Sequence, residues 1–146
     1  MKLCDLPIKK WPTRADGFKE MVISHVDSHF LWIFDESDEN GEKLDELCTN
    51  IDKKLEILPK NVDLQEIYVF QADDEEFFFR GIVEDNQAKT DFLARALDYG
   101  VTQTYKKAFQ LTDELKNFAP FVKKYKLRLI NNLLTFFFKS DSVFVA

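Results

Sequence analysis

A change of hydrophobic period at Pro59 limits what this chain can fold into. Before it, Leu44, Leu47, Cys48, Ile51, Leu55 and Leu58 recur at steps of three or four and predict one face of a helix over 44–58. After it, short β-branched and aromatic runs follow at Ile67–Ala72, Glu76–Val83, Phe92–Leu97 and Val101–Tyr105, separated by the turns 73–75, 84–91 and 98–100. Short strands at this spacing are the pattern of a small barrel.

The flanks add more strands. Phe18–Phe34 carries two β-like bursts around the polar Asp27-Ser28-His29 and reads as a hairpin, followed by an acidic, solvated loop at Asp35–Lys43. Ala108–Asn117 reads as a turn or short helix ended by Pro120, then Lys123–Ile130, Leu133–Phe138 and Val143–Val145 read as strands. The expected class is mostly β with helices, α+β. One helix joins a front β element to the barrel.

Charge and chemistry narrow the function. A net charge of −6 weighs against nucleic-acid backbones and suits basic peptides. Fifteen Phe among 146 residues provide for a large core or an aromatic pocket. Cys4 and Cys48 match no zinc or redox spacing and are expected as reduced thiols of an unexported protein. No run approaches the ~18 apolar residues of a membrane span. His25 and His29 lie four apart on a predicted hairpin without metal-ligand company, and no phosphate loop or activated nucleophile stands out. Neither catalysis nor a cofactor is expected.

Four stretches in this order resemble the extended Tudor family. Val22–Ser28 followed by Phe30-Leu31-Trp32 is similar to its front hairpin, and Leu44–Leu58 to its linking helix. Glu76–Val83 resembles the first barrel turn, Leu97-Asp98-Tyr99-Gly100 the Ile-Asp-Tyr-Gly signature, and Pro120–Leu127 the return strand. The resemblance implies a five-stranded Tudor-like barrel beside a partial OB-like, staphylococcal-nuclease-like part. It divides a single module of 1–146 into hairpin and helix (18–60), barrel (61–120) and closing strands (121–146), the last shorter than usual.

In that family methylated arginine sits among aromatic faces, each worth about 0.5 to 2 kcal/mol. Carried over by position, Phe79 and Tyr99 match two cage rings. Ala72 and Ala96 stand where the other two rings belong, and Val101 where an Asn belongs. Losing two walls removes about 1 to 4 kcal/mol of selective binding. Tyr68, Phe70 or Phe77 is a substitute wall, Asp73 and Asp74 are carboxylates that attract arginine, and Arg80 and Asp98 are a pair bridging two strands.

The resemblance thus implies an interaction module that scaffolds a small-RNA silencing complex in perinuclear, cytoplasmic germline granules. Its expected partner is the arginine-rich N-terminal segment of a Piwi-clade Argonaute, or another granule protein, unmethylated arginine being favoured. Two alternatives stay open. One is a vestigial pocket on a self-associating or supporting domain, and the other is RNA contact through Lys123, Lys124, Lys126 and Arg128.

Overall fold

The computed structural model describes residues 1–11, 20–51, 55–56, 61–71, 77–86, 91–130, 133–138 and 144–145. Among the described residues, ten strands form two antiparallel sheets. The first is ordered β1 (Val22–Asp27), β2 (Phe30–Phe34), β8 (Lys123–Ile130), β9 (Leu133–Phe138), β10 (Phe144–Val145). The second is ordered β6 (Thr102–Tyr105), β5 (Phe92–Ala96), β4 (Phe78–Asp85), β3 (Ile67–Gln71), β7 (Ala108–Phe109). The class is mostly β with one helix, α1 (Asn40–Thr49).

Period-two alternation sorts the second sheet's side chains. Phe70, Phe79, Val83, Phe92, Ala94, Ala96 and Tyr105 share one buried cluster, while Ile67, Val69, Phe78, Leu97 and Phe109 join Leu44 and Cys48 of α1 in another. Each strand therefore feeds two cores, and the helix lies over one of them. A third, smaller cluster of Leu31, Ile33 and Tyr125 lies in the first sheet.

Two expectations change. The helix starts four residues earlier than its apolar stripe, because Asp38 accepts the backbone N–H of Asn40 at 3.0 Å and turns the acidic segment into the first helical turn. It also stops at Thr49, where the side chain of Asn50 bonds Glu46 O. Ile51 and Leu55 still pack on the same core beyond the helix end. The second change is β7, a two-residue strand opposite Val69 and Phe70 where a turn or short helix was expected. A 3-10 turn, Leu115–Asn117, follows it.

Candidate functional site

The Asp98-Tyr99-Gly100 turn organises the site. Gly100 adopts φ +93, a conformation that favours glycine, and its N–H bonds Ala96 O at 2.7 Å. The indole of Trp32 packs against its bare Cα, so closely that a Cβ there would lie 2.3 Å from the ring. The turn is thus pressed against the front hairpin. Ser24 on β1 adds a hydrogen bond from its hydroxyl to Tyr99 O at 2.9 Å.

Arg80 is fully buried and pins the turn from below. It grips Asp98 with two bonds, Nε to Oδ2 at 2.8 Å and Nη2 to Oδ1 at 2.5 Å. Its remaining donors reach the carbonyls of Leu115, Phe118 and Ala119. Asp98 also accepts the backbone N–H of Phe121 at 3.0 Å. The pair joins β4, the signature turn and the segment leading to β8.

Beside the turn lies an aromatic pocket of about 300 Å³. Phe77, Phe79, Tyr99 and Tyr105 line it, together with Ala96 and Val101. Phe77 stands two residues before Phe79, so alternation puts both rings on one face without any shift of register. Phe79 is only 4% exposed and belongs to the core, which makes it the floor. The open corner is Phe77 against Tyr99, with centroids 5.9 Å apart at 65°.

The rings leave no slot between them. Phe77 and Phe79 are nearly parallel at 24° but only 6.3 Å apart, whereas a planar cation sandwiched between two faces needs about 7 Å, twice the usual contact distance. Tyr105 closes on Phe79 at 5.1 Å. A guanidinium would meet the outer faces of Phe77 and Tyr99. Ala96 and Val101 contribute no ring and no amide, while Ala72, Asp73 and Asp74 lie outside the described residues.

Tyr99 and Phe79 also line a second cleft, of about 280 Å³, between the turn and α1. Its wall holds the carboxylates of Glu36, Asp38, Glu42, Asp45 and Asp98. The Tyr99 hydroxyl donates to Asp45 Oδ1 at 3.3 Å, and burial followed by the Asp45 charge pushes its pKa up. Lys9 pairs with Asp38 at the rim. These acids, Asp98 apart, come from the stretch expected as a solvated loop and from the helix after it, and what turns them inward is the early start of α1. An acidic run just ahead of an amphipathic stripe was the available signal.

Tyr68 donates no ring to this site: its hydroxyl accepts the backbone N–H of Asp63 at 3.1 Å. Phe70 is wholly buried against Phe79 and Tyr105. His25 stacks near Trp32 at 5.3 Å. Cys4 and Cys48 are both free thiols. Among the described residues no group of His, Cys, Asp and Glu is placed to hold a metal ion.

Comparison with known proteins follows from this geometry. The model of the Tudor domain family matches residues 14–129. Extended-Tudor 9 of Drosophila melanogaster is similar in fold, with TM-score 0.65 and 17% identity over 75% of this chain and 61% of that one. The human TDRD1 extended Tudor domain, solved with a symmetrically dimethylated peptide, gives TM-score 0.61 and 14% identity over 97% and 89%. A structure of Tudor in complex with Aubergine gives TM-score 0.66 and 18% identity over 74% of this chain and 65% of that one. The chain thus spans under two thirds of the length of extended-Tudor 9 and of Tudor. No curated protein matches the sequence. With the family match extending over most of its length, the chain belongs to the Tudor domain family and has the extended Tudor fold.

Proposed function

We propose that this domain is a non-catalytic interaction module that binds an arginine-containing segment of a partner protein at Tyr99, without requiring arginine dimethylation. One observation carries the reading. Tyr99 is shared by the aromatic corner and the carboxylate-lined cleft, so a guanidinium stacked on Phe77 and Tyr99 has acidic acceptors within the same site. Carboxylates hold an unmodified guanidinium by paired hydrogen bonds, and methylation removes donors from that grip. Aromatic faces reward methylation, but here the ring set is collapsed on itself.

Relatives of the same fold are seen with Aubergine, with a MILI peptide containing dimethylarginine and, in the human TDRD1 domain, with a symmetrically dimethylated peptide. They support a peptide partner of the Piwi kind for this domain, within a small-RNA silencing complex of germline granules. The test is calorimetric titration with an arginine-glycine peptide, unmodified and symmetrically dimethylated. The unmodified peptide is expected to bind at least as tightly as the dimethylated one, and Tyr99→Ala to weaken both about tenfold. A tenfold preference for the dimethylated form would overturn the reading, and binding of neither peptide would leave the domain a supporting or self-associating role.

A further inference from the structure

Both tryptophans of the chain, Trp11 and Trp32, line one cavity of about 560 Å³ that shares no residue with the aromatic pocket or the carboxylate cleft. Its apolar lining is largely aliphatic, with Leu6, Leu97 and Val122 buried, Leu3 partly open and Ile8 98% exposed. Every charged residue that lines it is a cation: Lys9, Arg95, Lys123 and Lys124. In a chain of net charge −6, whose other cleft is lined by five carboxylates, this is a marked separation of charge.

The cations are not equivalent. Lys9 reaches Asp38 and Arg95 reaches Glu84 at 3.0 Å, so both are partly neutralised. Lys124 is exposed, its ammonium 4.0 Å from the ring centre of Phe30 and 5.3 Å from that of Trp32. Burial pushes Lys123 below the ordinary lysine pKa, the mark of an ammonium in apolar surroundings whose charge an incoming carboxylate would stabilise.

We propose that this cavity docks an acidic peptide segment with an apolar anchor side chain: the anchor enters between Leu6, Leu97 and Val122, and the carboxylates face Lys123 and Lys124. An exposed aliphatic such as Ile8 beside tryptophan and a cationic rim is the composition of a protein contact. A nucleic-acid strand fits less well. Base stacking needs open ring faces, and Lys9 lies over Trp11 at 4.3 Å from the ring centre. The overall negative charge also repels a polyanion more than a short peptide. The proposal does not rest on arginine binding, and would give the domain two docking sites of opposite charge preference.

Because the two tryptophans both line the cavity, their fluorescence reports on it directly. Titrating the whole chain with the synthetic hexapeptide Glu-Asp-Leu-Phe-Glu-Asp is expected to give a saturable change in tryptophan emission that weakens as salt is raised. Lys124→Glu should weaken binding about fivefold or more, by reversing a rim charge. Ile8→Ser, at a side chain open to solvent, should weaken it without touching the fold. Binding of the arginine-glycine peptide and the circular dichroism of both variants should match the parent. Three results would each overturn the proposal: no saturable response, unchanged affinity in both variants, or a response to single-stranded oligouridylate but not to the peptide.

Discussion

Arg80 uses every donor that a guanidinium has, two on Asp98 and three on backbone carbonyls, in a place closed to water. Asp98→Ala strands that charge and should cost about 3 to 5 kcal/mol, read as a lowered urea midpoint at unchanged slope. Gly100→Ala faces a different obstacle, a backbone at φ +93 and the Trp32 ring where the methyl must go. It should cost about 2 kcal/mol or more on the same assay. Some of this was readable in the residues, because Asp-Tyr-Gly announces a turn and Arg80 and Asp98 flank neighbouring strands. What three successive phenylalanines do was not. Alternation puts Phe77 with Phe79, but only the packed structure sets Phe79 in the floor and leaves Phe77 open.

Among the elements, α1 shows both the reach and the limit of pattern. Its apolar stripe marked which residues meet the core, including Ile51 and Leu55 beyond its end, yet the stripe is blind to where hydrogen bonding starts and stops. Asp38 and Asn50, polar residues bonding backbone, decide that. Strands β3 to β6 were legible because each alternates between two cores, whereas β7 at two residues is too short to carry a period. Cys48 on α1 offers a test of the helix packing. Burial, then the charge of Asp98, pushes its thiol up from 9.0 to about 12. The folded state therefore holds that proton more tightly than the unfolded one, so its contribution is complete below pH 9 and is lost as pH rises towards about 12. The urea midpoint should fall across that window. Cys48→Ala should fall less steeply, the remaining slope including that of Tyr125, which burial also pushes up to about 12.

For the whole molecule, the clefts are the part that sequence conceals. The carboxylate wall draws on residues 36–45 and 98, and the basic cavity on residues 3–11, 32, 95–97 and 120–124, so neither exists until the two sheets meet. The two sheets are tied where they meet. Arg80 and Asp98 bind the segment that runs from the second sheet into β8, and Ser24 ties the front hairpin to Tyr99. The slot between them is therefore of fixed gauge, like a keyway cut before the key arrives. A peptide should enter without waiting for a door to open: in stopped-flow mixing, association is expected as a single phase whose rate rises linearly with peptide concentration. A rate that levels off would reveal a slow opening step. A slot of fixed gauge spends little entropy on closing, and it chooses its ligand by width before any charge is read.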